Sequence, residues 1–393
     1  MEEHRRNLIS ICFSQLGAAI SLSFVYVFLP FYVLRVSPYP LQQTLLWVGA
    51  IMGVAPMCAA ITATLWGSLT HRFRPKSIYL LNLLTNSMVF LLMGFTTNLY
   101  LLLILGICQG MVGGNSTVGM ILISSTSPKE NLPSHIGIFQ STMTLGQLMG
   151  PPLGSFAAVI LGYRGSFVSA SSLLFLSFIC CLFYVRNIPC LPRSPKVFGR
   201  RLLDRRVISG WMVTFTVMIQ LTFLPSILPK VFEGFSIEQP VALKLAGTVV
   251  MLYTATALIG TYVWTSLARR FGVSRMIRFL FLLGVLLQAL LAFNRGIVDF
   301  TVTRMVQTGL VAATIPLVIS VFASKSNGGV IGFLNSARFA GHGAGAFLAT
   351  SILAYYGLRN VFLFISAIAL LAFVASASFL REGTKDPPSH RDS

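Results

Sequence analysis

Carboxylates are scarce in this chain: ten Asp and Glu stand against 29 Lys and Arg among 393 residues. They are Glu2, Glu3, Glu130, Asp204, Glu233, Glu238, Asp299, Glu382, Asp386 and Asp392, and none falls in the middle of a long apolar run. So scattered a set offers no acid to orient a Ser-His pair. The six cysteines (12, 58, 108, 180, 181 and 190) lack metal or redox spacing and form no disulfide framework. Most lie inside apolar stretches, where a thiol packs as a small hydrophobe. There is no phosphate-binding loop, zinc pattern or nucleophile elbow. ATP hydrolysis and other catalysis within the chain are therefore not expected, nor is a cofactor or bound metal. Charge of either sign is also sparse, at 10% of residues. A globular protein carries roughly a quarter.

What fills the chain instead is apolar sequence. It is 55% hydrophobic, with a mean hydropathy of +0.79. Twelve apolar runs lie near 8–34, 45–69, 77–97, 99–125, 136–161, 166–185, 207–229, 245–267, 277–293, 300–323, 330–355 and 360–380. Each suffices to cross a hydrocarbon core of about 30 Å as a helix. Continuous runs exclude a β-barrel, whose strands would alternate. The first run is too long for a signal peptide and lacks a small-residue cleavage site, so it counts as a span. The chain reads as an all-α integral membrane protein of twelve transmembrane helices.

Basic residues set the orientation. With both termini cytoplasmic, 21 of the 29 Lys and Arg fall on that side and six on the other. Arg304 and Arg338 fall within spans. The net charge of +19 is thus a set of topological anchors in short loops, with some attraction to anionic lipid. It is not a nucleic-acid footprint.

The chain is also two copies of one half. Trp66-Gly67-Ser68-Leu69-Thr70-His71-Arg72-Phe73 recurs 198 residues later as Trp264-Thr265-Ser266-Leu267-Ala268-Arg269-Arg270-Phe271. Ile136 to Ser141 matches Ile331 to Ser336, and Gly162-Tyr163-Arg164 with Phe167 matches Gly357-Leu358-Arg359 with Phe362. The Pro-rich basic stretch 187–206 reads as a cytoplasmic linker. The expected domains are two pseudo-symmetric six-helix bundles, 1–186 and 207–393, the second ending in a short polar tail. In membrane proteins such duplication places a solute site where the halves meet.

The 6+6 plan and the loop Gly67-Ser68-Leu69-Thr70-His71-Arg72-Phe73-Arg74-Pro75-Lys76 resemble the major facilitator superfamily. Its loop motif runs roughly Gly-x-x-x-Asp-Arg-x-Gly-Arg-Lys; here His71 replaces the Asp and Arg74 the second Gly. Within the fifth run, Gly146, Gly150, Pro151 and Gly154 resemble the Gly-x-x-x-Gly-Pro-x-x-Gly signature of the twelve-helix drug/proton antiporters. Glycines at that spacing share one helical face and admit a close neighbour. Proline removes a backbone donor and permits a bend. The arginine this family buries in helix 4 is missing at Gly106; the matching place in helix 10 holds Arg304.

The resemblance implies a secondary-active exporter of amphipathic small molecules working by alternating access; coupling to protons stays open, because no carboxylate lies in the middle of a span. It implies a monomer in the plasma membrane, that of a bacterial inner membrane. Gln15, Tyr26, Asn115, Gln140, Gln147 and Gln220 are the polar and aromatic cavity candidates. Arg338 and His342, four apart on one face, join them. An intramembrane Arg needs a partner, and His titrates near neutrality. Whether Arg304 pairs with Asp299 or Glu233 or faces substrate stays open, as does a snorkelling role for Arg338. Two other readings remain: uptake or exchange of a small organic anion bound by Arg338 or Arg304, and a transporter-like sensor or scaffold that carries nothing.

Overall fold

A computed structural model of the chain describes residues 2–128, 131–190, 204–323 and 328–382. Most of the linker, Glu130 and the polar tail with Asp386 and Asp392 lie outside the described residues. The first seven helices are α1 (Glu2–Val36), α2 (Leu41–Leu69), α3 (Pro75–Phe95), α4 (Leu99–Met111), α5 (Asn115–Thr126), α6 (Leu132–Ile160) and α7 (Gly162–Tyr184). The second half holds α8 (Arg205–Thr222), α9 (Leu224–Gly234), α10 (Gln239–Phe271), α11 (Val273–Leu290), α12 (Ile297–Val311), α13 (Thr314–Ala323), α14 (Gly328–Tyr356) and α15 (Leu358–Glu382).

By length and apolarity nine helices among the described residues can cross a membrane, and the bent pair α8–α9 makes ten. Two more helices, α6 and α14, have 29 residues each but carry amides, hydroxyls and glycines that dilute their hydropathy. Together these are the twelve expected spans. Spans 4 and 10 are each split: α4 stops before Gly113-Gly114, and α12 stops before Ala312-Ala313. The apolar runs gave no sign of either break.

Three junctions are tight turns on glycines with positive φ. Gly162 (φ 69°) joins α6 to α7, Gly272 (φ 89°) joins α10 to α11, and Gly357 (φ 82°) joins α14 to α15. A side chain is strained there, so the repeated Gly-x-Arg motif has a backbone reason. The phenylalanine that follows each copy is buried. Phe167 meets Phe28 and Tyr32 at 5.0 and 5.3 Å between ring centroids, while Phe362 meets Phe223 and Phe300 at 5.9 and 5.7 Å.

The chain divides into two compact units. Unit 1 holds residues 1–195 with 224–251 and 346–355; unit 2 holds 196–223, 252–345 and 356–393. Unit 1 therefore includes α9, the first turns of α10 and the last turns of α14. Its centre is α1, packed on α6 and α7, with Ile11, Ala18, Phe28 and Val33 fully enclosed. Unit 2 is built around Val217, Ile277, Leu280, Val311, Val318 and Leu334.

Two helix crossings inside unit 1 repeat the duplication at residue level. On α2, a Cβ added to Gly49 would lie 3.1 Å from Phe347 Cα and would collide with the Thr350 hydroxyl. On α10, a Cβ added to Gly247 would lie 2.8 Å from Pro152 Cα and would collide with the Ser155 hydroxyl. Gly49 and Gly247 are 198 residues apart, and Ser155 and Thr350 are 195 apart, the two offsets of the sequence repeats.

Candidate functional site

The glycine face of α6 is the first part of the site to be built. Gly146, Gly150 and Gly154 are buried and recur every four residues, so they form one stripe along the helix. The stripe lies on α1. A Cβ at Gly146 would meet Ala19 Cβ at 2.6 Å; one at Gly150 would lie 2.8 Å from the Ile20 carbonyl oxygen; one at Gly154 would lie 2.8 Å from Phe24 Cα. Small residues here bring two backbones together, the main source of helix affinity in lipid. Pro151 is buried beside the stripe, and α6 runs uninterrupted through Pro151-Pro152. In unit 2 the stripe on α14 plays the same part. Gly341 lies against Phe215 and Met218 of α8, and Gly345 against Ile219.

The loop motif has its own anchoring. Lys76 is buried, and its Nζ donates to the carbonyls of Leu182, at 2.8 Å, and of Val185. These carbonyls end α7, where a helix presents unpaired acceptors and partial negative charge. The final Lys of the motif is thus a C-cap for span 6. Arg72 is exposed and its guanidinium lies 5.8 Å from the Phe73 ring centroid. His71 is half-buried and engaged with the protein, and Gly67 lies within the last turns of α2. The paired tryptophans have diverged: Trp66 Nε1 donates to the Met111 carbonyl at the α4–α5 break, whereas Trp264 packs on Phe279.

Burial separates the expected cavity residues into two groups. Gln15 is 3% exposed and accepts from the Tyr79 hydroxyl at 3.1 Å, so it belongs to the interior of unit 1. Asn115 is likewise buried, and Gln220 is fully enclosed in unit 2. Against expectation, these three face protein. Gln147 and Arg338 are exposed, and Tyr26, Gln140 and His342 are half-buried.

Arg304 resolves differently from either alternative left open by the sequence. It is fully buried, yet among the described residues no carboxylate meets it. Asp299 lies five residues earlier on α12 and is exposed; five helical steps turn it about 140° away from Arg304. Glu233 pairs with Lys230 instead, at 2.5 Å. The guanidinium donates from Nη1 to Gln307 Oε1 at 2.7 Å and from Nη2 to the Leu221 carbonyl at 2.9 Å. The rings of Phe223 and Tyr253 lie 5.1 and 5.0 Å away.

The Leu221 carbonyl is available for a simple reason. In a continuous helix it would accept from residue 225, but Pro225 has no N–H. The chain bends by 40° between α8 and α9 at this point. Arg304 therefore fills the acceptor that proline orphaned, and so ties α12 to the end of α8. The sequence carries this signal in Leu221 and Pro225, and in Gln288, the lone amide of the run 277–293.

Arg338 has no such enclosure. Its Nη1 reaches Asn335 Oδ1 at 3.3 Å, and among the described residues no acid pairs with it. It stands in the third turn of α14, one turn before His342. Asn335, Arg338 and His342 flank the stripe that faces α8 on one side. Phe333 and Ser336 flank it on the other, where Trp211 stacks on Phe333 and Phe215 and its Nε1 approaches the Ser336 hydroxyl at 3.3 Å.

Comparison with known proteins places this architecture. A multidrug resistance protein MdtG from a Rahnella species is 26% identical over 366 residues, which cover 90% of this chain and 88% of the relative. Its counterpart from Klebsiella pneumoniae is 24% identical over 375 residues, covering 93% and 90%. A bacterial homologue of the human lysosomal transporter Spinster, solved inward-facing and occupied, superposes with a TM-score of 0.78 at 14% identity, over 98% of both chains. The human organic anion transporter MFSD10 gives 0.68 at 16% identity, over 95% of this chain and 99% of that one. The Major Facilitator Superfamily family model matches residues 11–293 and again 210–393. With twelve spans, a doubled half and that match along its length, the chain belongs to the major facilitator superfamily of multi-pass membrane transporters.

Proposed function

We propose that this protein exports amphipathic small molecules from the cell by secondary-active transport driven by protons. The observation that carries this reading is the similarity to multidrug resistance protein MdtG along nine-tenths of the chain. In this reading the protein sits in the plasma membrane with both termini cytoplasmic, as the 21-to-6 distribution of basic residues supports. The repeats 1–186 and 207–393, joined by 187–206, move as the two bodies of alternating access. The glycine contacts of α6 on α1 and of α14 on α8 keep each pair of helices rigid during that motion.

Substrate contact falls to the side chains the fold leaves accessible. Gln147, Gln140 and Tyr26 serve in the first half, and Arg338, Asn335 and His342 in the second. Purified protein in proteoliposomes with an imposed proton gradient is expected to move amphipathic dyes. A broad panel that stays put would remove the exporter reading. Replacing His342 with Gln is expected to abolish the pH dependence of that transport, since it removes the proton-accepting imidazole of α14. Dependence that persists unchanged assigns coupling to another group.

A second reading, exchange of a small organic anion, is favoured by one feature: Arg338 is exposed inside a span and, among the described residues, has no acid beside it. A charge-assisted hydrogen bond to a carboxylate contributes about 1.5–3 kcal/mol, or roughly 10- to 100-fold in affinity. Arg338→Gln should then weaken transport of anions by that factor and leave cationic dyes unaffected. Equal losses for both classes argue that Arg338 is structural.

A further inference from the structure

The cluster around Arg304 holds more than its packing role requires. Arg304, Gln307, Gln220 and Gln288 are all fully buried in unit 2, on α12, α8 and α11. Gln307 Nε2 donates to Gln220 Oε1 at 3.1 Å and to Gln288 Oε1 at 3.3 Å, while Gln307 Oε1 accepts from Arg304. These bonds use the amide oxygens. Three nitrogens are left with no hydrogen-bond partner: Arg304 Nε, Gln220 Nε2 and Gln288 Nε2.

The imbalance is chemical and does not depend on how the amides are oriented. A guanidinium has five donors and no acceptor, whereas each amide matches its two N–H donors with the two lone pairs of its oxygen, so the surplus belongs to the arginine. Turning any one glutamine moves the surplus without cancelling it. The cluster also carries one positive charge that, among the described residues, no acid offsets. Water can fill a donor, but it brings hydrogens of its own and leaves the charge in place. Buried charge in a span is tolerated when it is paired or met by oriented acceptors. A small anion supplies both missing quantities, acceptor capacity and negative charge.

We propose that this cluster binds a compact monovalent anion, chloride or the carboxylate group of a small acid. The site is separate from the accessible residues of the transport reading and stands whether or not that reading holds. Occupied, it would brace α12 and α11 against α8 immediately before the bend of span 7.

The test is thermal unfolding of the purified full-length protein in detergent, with sodium chloride, acetate or gluconate at one ionic strength and pH. A ligand that binds only the folded state raises the unfolding midpoint, here by about 2–4 °C when the anion is roughly fivefold above its Kd. Chloride is expected to do so relative to gluconate, and acetate alone doing so would name the carboxylate as the natural occupant. Two variants secure the assignment. Arg304→Gln removes the charge, and the ion effect should vanish. Gln288→Glu installs an internal carboxylate in the cluster, one amide removed from the arginine, so it should stabilise the protein in gluconate and make it indifferent to chloride. No ion effect in the unaltered protein overturns the proposal, as does an effect of equal size in Gln288→Glu, which would place the ion elsewhere on this strongly basic chain.

Discussion

Replacing Gly154 with leucine is expected to leave little folded protein and no transport. A Cβ at this position would fall within contact distance of the Phe24 carbonyl and 2.8 Å from Phe24 Cα, all of it backbone of α1. Backbone cannot rotate aside as a side-chain end does. Leucine would therefore force α6 away from α1, the helix at the centre of unit 1. Overpacking that flexible neighbours absorb costs about 1–3 kcal/mol. Displacing a helix adds the loss of close contacts along the stripe, so more than about 3 kcal/mol is expected, a large part of ordinary stability. Gly137 supplies the control, because it lies on the same helix with nothing within 4 Å of an added Cβ. Gly137→Leu should purify as a single species with an unchanged unfolding midpoint. If Gly154→Leu behaves like Gly137→Leu, the close packing of α6 on α1 is wrong.

Arg304→Lys is expected to be nearly as damaging as Arg304→Met, although it keeps the charge. The guanidinium reaches Gln307 Oε1 with one nitrogen and the Leu221 carbonyl with another, and lies against the rings of Phe223 and Tyr253. An ammonium is a compact point charge without the flat fork, so it does not reproduce this arrangement. Losing it strands the Leu221 carbonyl, which Pro225 already deprives of its helical donor. A buried acceptor without a partner costs about 1–3 kcal/mol, and a buried ammonium with poor contacts adds to that. Unfolding midpoints of the two variants, measured beside the parent protein, decide the matter. Full stability in Arg304→Lys would mean that charge alone suffices and that the carbonyl at the bend has another donor.

These two residues also mark how far the sequence could be read. Gly154 was legible: its spacing from Gly146 and Gly150 put three glycines on one face, and a close helical neighbour followed. Arg304 was legible as an intramembrane charge and no further. Its partner choice depended on Asp299 lying on the wrong side of α12, on Glu233 being taken by Lys230, and on a carbonyl freed 83 residues away. Gln15 and Gln220 stood in helices expected to line a cavity, yet an amide in a span satisfies its polar atoms equally well against a bundle neighbour. Only the rotation of each helix separates the two outcomes.

Composition and order alone determined that this chain lives in a membrane, crosses it twelve times, and consists of one half made twice. Those properties depend on local quantities: the length of an apolar run, the spacing of glycines, the recurrence of a motif. Tertiary structure decided that Arg304 is enclosed while Arg338 is exposed, that Lys76 caps span 6, and that Gly49 and Gly247 meet Thr350 and Ser155. Each of these follows from which helix face meets which neighbour. Apolar residues here are plentiful on every face, so the sequence pattern scarcely constrains rotation, and close packing of the folded helices settles it.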